Sequence, residues 1–570
     1  MKKKILIVNF HSMSQPGGVQ SVISTIITDK KNTYSLLTGS TKEFEKKYYK
    51  GIPNYGTSCF VKKCKTIEIE RILEKVFQEF QPEIIYTHNL SYMFNEKKAK
   101  AIFEFFNSKN VVLVEHTHHA YIKRKKMIKK ILNLKWDKII TISNFANKRI
   151  SKIVKDKQNV VRVPNSINLK QFKKIDETKR RAFAKKMGVP QENIFLFPSR
   201  TIRLSTGAIG KQKQFLTVLK ALKLLKKTGF GKFVLVIPYL DTNEKNKEAI
   251  KKFNNTLEKF NLKNNLFIYP KKLTQNGMIK FYSLGNIILF PSIEENFGMV
   301  AVESLALRIP IIICNSGGTI EIIKNNETGL VIPPENPKAL AQAIKKLSEN
   351  KELYSNISKN QLRESKKYSS KKMISLIQKI FESIPKKERE IILVRHGQTE
   401  FNEKKIYSGQ LETILTKKGI SQAKKIRKFF FNKKHYKVYC SPLKRAKTTA
   451  EIIFGNKQKM IFDDKLKEIN TGVFSGKTKE QIEEEFPFLR KKTDYRKYYP
   501  GGENFSQLRK RVKLFLKKLP KNENIVIVGH ETTNKMIASI LTKTRVEKIP
   551  RQLNNQIFVV KIKNLKIIEF

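Results

Sequence analysis

The stretch VRHGQTEFN at positions 394 to 402 sets an arginine, a histidine and a glycine together at the end of an apolar strand, a combination with few purely structural uses. It points to phosphoryl transfer. The strand IILV (Ile391 to Val394) should deliver Arg395, His396 and Gly397 to its carboxyl end, where open α/β sheets place their ligand crevice. Neutral imidazole is a good nucleophile near pH 7. Guanidiniums beside it stabilise the negative charge spread over the oxygens of the group in transfer, without a metal. Further parts follow in order: SPLKRAKTTA (441 to 450), LKEINTGVFSG (466 to 476), PGGEN (500 to 504) and IVIVGHE (525 to 531). The last repeats the strand-then-histidine design.

These five ordered matches resemble the histidine phosphatase (phosphoglycerate mutase-like) superfamily. The resemblance implies that His396 becomes phosphohistidine, that Arg395, Arg445 and His530 clamp the phosphoryl oxygens, and that Glu468 is the proton donor. A dianionic substrate beside Glu468 would raise its pKa enough for that task. Asn402 and Gly409 match the family's phosphate-loop positions, and Glu412 stands where the family often has Asp. The segment is too compact for the longer insertions of the mutase branch, so phosphatase is the expected activity.

Three features of the first two thirds also bear chemistry. PGGVQSVI (16 to 23) is a glycine turn whose amides and helix start can approach a phosphate, although a plain strand–helix turn has the same pattern. Arg200 ends the strand IFLFPSR, and Lys211 and Lys213 follow one loop later; a guanidinium and a point charge suit a diphosphate. In FPSIEENFGMVAVESLALRIPII (290 to 312), Glu295 follows an apolar strand, Gly298 permits close backbone approach and Glu303 begins an apolar helix.

Together with VPNSINLKQF and GGTIEIIKNNETGLVIPPENPKALAQAI (317 to 344), these motifs resemble a family 4 glycosyltransferase of GT-B fold. The resemblance implies a nucleotide sugar held between two Rossmann-like domains and a C-terminal helix, 367 to 382, that crosses back to the first domain. Glu303 would bind the ribose. Glu295 and the backbone of Phe297, Gly298 and Met299 would hold the donor sugar, while Arg200 and Lys213 would neutralise the diphosphate. Gly17 and Gly18 match the loop under the phosphates, and His116 in VEHTHHA matches the first-domain histidine near the transferred sugar. Such enzymes retain the donor's anomeric configuration and need no metal or other cofactor. A metal site built from His116, His118 and His119 is the alternative; strand alternation points His116 and His118 to one side, but no fourth ligand is evident.

The elements that must position these residues alternate between short β-branched strands (ILIV, EIIYTH, VVLVEH, KIITIS, NVVRVP, IFLFPS, FVLVIP, LFIYP, NIILFPS, IPIIIC, GLVIP) and helical patterns. This is the signature of doubly wound parallel α/β sheets, with too many strands for one. The reading places two Rossmann-like domains at 1–190 and 191–385, divided near 165 to 195, and a third α/β domain at 390–570.

With 570 residues, 40% hydrophobic, core material is ample. The net charge of +66 invites nucleic-acid or anionic-membrane hypotheses. Yet the lysines are scattered, and no basic stripe carries interleaved stacking aromatics, so specific nucleic-acid binding is not expected. Cys59, Cys64, Cys314 and Cys440 form no CxxC pair and read as reduced thiols of a cytosolic protein. MKKKILIVNF has too short an apolar run for a signal core, and no run approaches the ~20 residues of a membrane span. YIKRKKMIKKILNLKW (121 to 136) has the basic amphipathic pattern of a helix lying on an anionic membrane surface, or of one packed on its own domain with a solvated basic face. Trp136 is expected in the core.

The whole therefore reads as a glycosyltransferase fused to a phosphatase, joined near SIPKKERE (383 to 390). Its partners would be a nucleotide sugar and a phosphorylated small-molecule or glycan acceptor. In one version the chain glycosylates a phosphorylated acceptor and then removes the phosphate. In the other it builds a surface polysaccharide or glycolipid, with peripheral contact at the inner membrane face, and the phosphatase serves a separate sugar phosphate. A non-enzymatic basic binding protein on decayed enzyme folds conflicts with the intact Arg395, His396, Arg445, Glu468 and His530 set.

Overall fold

The computed structural model describes residues 2–14, 17–119, 125–173, 176–189, 193–198, 213–238, 247–270, 275–385, 389–430, 436–455, 458–487, 499–520, 523–561 and 564–569. The chain divides into two compact units, one of Met1–Phe103 with Leu113–Pro385 and one of Lys386–Phe570 with Glu104–Val112.

The first sheet contains β1 (Lys4–Asn9), β2 (Thr33–Gly39), β3 (Glu45–Tyr49), β4 (Ile52–Thr57), β5 (Ile84–His88), β6 (Val112–Thr117), β7 (Lys138–Thr141) and β8 (Val160–Arg162), in the order β3-β4-β2-β1-β5-β6-β7-β8. β1 runs parallel to both β2 and β5. A strand buried on both faces reads as a continuous apolar run, and β1, with only Lys4 exposed, has that character. The order reverses at β1, so the turn after it, which carries Gly17 and Gly18, opens where ligands bind such sheets. The edge hairpin β3–β4 has no counterpart in the sequence reading; β3, EKKYY, is charged, which blunts an exposed edge.

The second sheet is wholly parallel, with β9 (Ile194–Leu196), β10 (Val234–Ile237), β11 (Leu266–Ile268), β12 (Ile287–Phe290), β13 (Ile311–Cys314) and β14 (Leu330–Ile332) in the order β11-β10-β9-β12-β13-β14. Its reversal lies between β9 and β12, whose ends carry the predicted diphosphate and sugar residues. The helix Ser370–Ser383 returns to the first sheet: Gln378 Nε2 donates to Asp29 Oδ1 at 2.8 Å, Lys3 Nζ donates to Phe381 O at 2.6 Å, and Phe381 packs edge-on against Tyr86. A second tie caps the helix Asn144–Ser151, where Glu321 accepts from the backbone N–H of Asn144 at 2.8 Å and of Phe145 at 2.7 Å.

The second unit holds the third sheet: β15 (Ile391–Arg395), β16 (Lys437–Cys440), β17 (Met460–Phe462), β18 (Ile525–Gly529), β19 (Gln556–Lys561) and β20 (Asn564–Glu569), in the order β17-β16-β18-β15-β19-β20. β15 and β18 are parallel neighbours with Arg395 opposite Gly529, which brings the two strand-end histidines side by side. Apolar clusters cover both faces of this sheet.

One expectation is corrected here. Cys59 and Cys64 are joined in a disulfide, with Cα atoms 5.3 Å apart across a tight turn, so only Cys314 and Cys440 are free buried thiols. The basic stretch, described from 125 onward, buries Ile128, Ile131, Leu132 and Trp136 and leaves Lys126 and Lys129 exposed, the arrangement of a helix packed on its own domain with a solvated basic face. Among the described residues no helix is long and apolar enough to cross a membrane.

Candidate active sites

A cleft of about 730 Å³ lies between the first two sheets. Gly17, Gly18, Lys213, Glu295, Phe297, Gly298, Met299 and Glu303 all line it. Arg200, Lys211 and the 204 to 210 loop lie outside the described residues. Gly17 caps the helix Gly18–Ile26, and a Cβ on Gly18 would meet open space, so the helix start is accessible from the cleft. Lys213 Nζ is paired with a Glu295 oxygen that also accepts from Ser292 Oγ at 2.8 Å. Glu303 is buried, and one of its oxygens accepts from Tyr282 OH at 2.6 Å, which fixes the carboxylate at the second-domain wall.

The glycine pair Gly317 and Gly318 supports this wall from behind. Gly318 N–H donates to Glu295 O at 2.6 Å, and a Cβ on Gly318 would stand 2.4 Å from Asn296 O. Ser143 Oγ donates to the same Asn296 carbonyl, so the loop carrying Glu295 is held from both domains. Neither Gly318 nor Ser143 was assigned a role from sequence. The GG dipeptide was the available signal.

His116 has a different position from its neighbours. It is fully buried, with Tyr86 OH 2.7 Å from its Nδ1, and it does not line the cleft, whereas His118 and His119 do. His88, absent from the sequence reading, joins them: its Nδ1 is 3.0 Å from His118 Nε2, and His116 stacks on His118. The His88 and His118 rings are inclined by only 17° with centroids 5.3 Å apart, an end-to-end N–H···N hydrogen bond. One of these two nitrogens carries the shared proton, and one ring nitrogen each of His88, His116 and His118 lies within 4.8 Å of the others, a grouping that could hold a metal ion. Burial holds His88, His116 and His118 well below the ordinary imidazole range, and His119 below it, so the cluster is neutral at pH 7.

The second site is built at the ends of β15 and β18. His396 N–H donates to Gly529 O at 3.1 Å, and the His396 and His530 rings lie 5.2 Å apart. His396 Nδ1 is 2.8 Å from Gly397 O, and a carbonyl only accepts, so Nδ1 carries the proton and Nε2 presents its lone pair. Burial, reinforced by Arg445 and Arg395, holds His396 well below the usual range, which keeps it a neutral nucleophile.

Arg445 is 1% exposed, and burial pushes its pKa down to about 10, still charged at neutral pH. Its guanidinium donates Nε to His530 Nδ1 at 3.2 Å, Nη1 to Leu411 O at 2.7 Å and Nη2 to Gly409 O at 2.8 Å, leaving two of its five N–H groups for a ligand. His530 must then carry its proton on Nε2, which lies 2.8 Å from Ser441 Oγ. Both ring nitrogens of His530 thus have protein partners. Arg395 donates Nη1 to Gln552 O at 2.7 Å and meets Glu531 at 2.8 Å, while its buried Nε has no hydrogen-bond partner.

Glu468 lies at the amino end of the helix Glu531–Thr542, where its carboxylate accepts from Thr532 N at 3.2 Å and from Thr533 N and Oγ1 at 3.1 Å. Its backbone is braced by Arg511, which forks onto Glu503 at 2.6 and 2.8 Å and donates to the carbonyls of Lys465, Lys467 and Glu468. PGGEN thus acts through Glu503 as scaffold for the acid. Asn402 shares a capping box with Thr399, and Gly409, at φ +46°, turns its carbonyl onto Arg445 where a Cβ would stand 2.3 Å from Thr471 Oγ1. Glu412 accepts from Lys444 N at 2.8 Å and so caps the helix that carries Arg445.

Comparison with known proteins finds two families in the chain. The glycosyl transferases group 1 model matches residues 191–364, and the histidine phosphatase superfamily (branch 1) model matches residues 391–564. An uncharacterised glycosyltransferase of Methanocaldococcus jannaschii is 26% identical over 348 residues, 57% of this chain and 92% of that protein. Phosphoserine phosphatase 1 of Hydrogenobacter thermophilus is 33% identical over 152 residues, 25% of this chain and 70% of that protein. The crystal structure of Anabaena HepE with UDP and glucose superposes with a TM-score of 0.54 at 16% identity, covering 67% of this chain and all of that one, a likeness of fold.

Proposed function

We propose, from the premise that this chain belongs to the group 1 glycosyl transferases over residues 191–364 and to the histidine phosphatase superfamily (branch 1) over residues 391–564, that it performs two reactions. One is retaining transfer of a sugar from a nucleotide sugar in the cleft. The other is hydrolysis of a phosphomonoester through a phosphohistidine. The observation that carries the second is the tautomer of His396, with Nδ1–H tied to Gly397 O and Nε2 left to attack. Nε2 bonds to phosphorus as the ester oxygen leaves with a proton from Glu468; water then gives a proton back to Glu468 as its oxygen attacks phosphorus, and the Nε2–P bond breaks to release phosphate and neutral His396. Arg395, through its unpartnered Nε, and Arg445 stabilise the charge on the equatorial oxygens. Trapping phosphate on the protein, and its loss in His396→Ala, tests this step.

In the cleft, Glu303 binds the ribose, Glu295 with the backbone of 297 to 299 holds the sugar, and Lys213 with Arg200 neutralises the leaving diphosphate beside the Gly17–Gly18 helix start. HepE, of the same fold, was solved with UDP and glucose. His118 and His119, at the cleft wall, take the part first assigned to His116. Neither reaction calls for a metal, so a chelator should leave both unchanged.

The two reactions are consecutive in this reading: a phosphorylated acceptor is glycosylated and then dephosphorylated, which makes the reversible first step one-way. His396→Ala should accumulate a glycosylated phosphate that the wild type converts to the free glycoside, read by mass spectrometry with 3-phosphoglycerate among the acceptors. One observation favours a second reading. The first-domain wall of the cleft presents Ser14, Ser21, Ser24, Thr25 and Tyr49, and the only Lys or Arg among the described lining residues is Lys213, already paired. That wall suits a neutral polyhydroxy acceptor, as in polysaccharide or glycolipid synthesis. Equal product patterns from wild type and variant would select it.

A further inference from the structure

We propose that Arg551 selects, for the phosphatase site, phosphomonoesters whose alcohol part carries a carboxylate: short phosphorylated hydroxy or amino acids. The inference rests on the reading of His396 as phosphoryl acceptor and adds the identity of the leaving alcohol.

The segment Arg551, Gln552, Leu553, Asn554 lies against the nucleophile. Gln552 O accepts from Arg395 Nη1 at 2.7 Å, and Asn554 Nδ2 donates to His396 O at 2.6 Å. Gln552 is fully buried, anchored through Leu393 O and Asn534. Arg551 therefore leaves a fixed backbone at the rim of the site. Its side chain is 72% exposed, yet its Nε is held 2.8 Å from Glu531 Oε1, and the other oxygen of the same carboxylate is 2.8 Å from Arg395 Nη1.

Glu531 thus orients two guanidiniums at once. It balances the buried Arg395, and Arg551 remains as the extra cation on the rim. One carboxylate and two 2.8 Å ion-pair contacts span no more than about 8 Å, so Arg551 sits within one short substrate of the phosphoryl clamp. The ion pair with Glu531 is made through Nε and leaves both Nη groups. That pair is the fork that meets a planar carboxylate. The residue type is informative here, since the chain has 95 lysines and only 20 arginines. A cation wanted only for charge would, in this composition, be lysine.

The test uses matched pairs that differ at the carboxylate: phosphoserine against phosphoethanolamine, and 3-phosphoglycerate against glycerol 3-phosphate, with the full-length protein. The wild type should favour the acid of each pair in kcat/KM. Arg551→Ala should lower that preference about tenfold, Arg551→Lys should recover part of it, and Arg551→Glu should lower it further, most for the pair whose rival carries an ammonium. Thermal unfolding of each variant checks folding. An unchanged preference in a folded Arg551→Ala or Arg551→Glu overturns the proposal while leaving the phosphatase reading intact. Absence of phosphate on His396 with every ester ends both.

Discussion

Replacing Arg445 by lysine keeps the charge and removes the fork, which separates two explanations of this buried cation. If charge alone matters, lysine should serve. The geometry says otherwise: three acceptors, His530 Nδ1, Leu411 O and Gly409 O, each face a different guanidinium nitrogen in a site 1% exposed. A single ammonium can satisfy one of them well, leaving two buried acceptors unpaired at about 1–3 kcal/mol each, or roughly 2–6 kcal/mol together. For a domain of this size that lowers Tm by roughly 5–20 °C. Catalysis suffers separately, because loss of one oriented donor to a transition-state oxygen costs about a hundredfold or more in kcat. The assay is p-nitrophenyl phosphate hydrolysis beside calorimetry of the same preparation. A variant with kcat within tenfold and Tm within about 2 °C of wild type would refute the reasoning.

Three further outcomes follow from other groups. His88, His116, His118, His119, His396 and His530 are all held below the ordinary imidazole range when folded and regain about 6.5 on unfolding. The unfolded chain therefore binds more protons as pH falls below about 6.5, so stability, flat above that value, should drop by up to about 1.4 kcal/mol per pH unit for each histidine, measured as Tm between pH 5 and 8. Arg511→Leu removes the brace behind Glu468 without touching the phosphoryl pocket; its rate loss should be at least about tenfold for alkyl phosphates and smaller for p-nitrophenyl phosphate, whose leaving group needs little protonation, and equal losses would deny Glu468 the acid role. Gly318→Ala forces a Cβ to 2.4 Å from Asn296 O and should cut glycosyl transfer at least about tenfold while phosphatase kinetics stay unchanged, measured on one preparation with both substrates.

The strands and the strand-end residues were legible in sequence because buried parallel strands are continuous apolar runs, and a polar residue just beyond such a run falls in the crevice. This locates Arg395, His396, His530 and Glu295. It does not say which polar residues touch. The Lys213–Glu295 pair joins positions 82 residues apart, and the Arg395–Gln552 contact spans 157. Local pattern was silent on Ser441, Ser143, His88 and Arg511, whose roles come from partners on other elements. The His116 assignment shows the limit well: alternation put His116 and His118 on one side, but only the tertiary fold shows that His118 reaches the cleft while His116 hydrogen-bonds Tyr86 beneath it. The Cys59–Cys64 pair was missed for a similar reason, since the spacing becomes a bridge only once a turn folds the chain back.

The net charge of +66 is a poor guide to either site, and the reason lies in how the two kinds of cation are used. Most of the described lysines stand at the surface, where ion pairs contribute little. Arg395, Arg445 and Arg511 are mostly buried, and each meets at least two acceptors at fixed angles. A lysine cannot take these positions, because its nitrogen is a point and the acceptors are spread around a plane. In a chain rich in lysine, these three mostly buried arginines therefore meet geometric demands. The scattered lysines supply a field that favours anionic substrates without choosing among them.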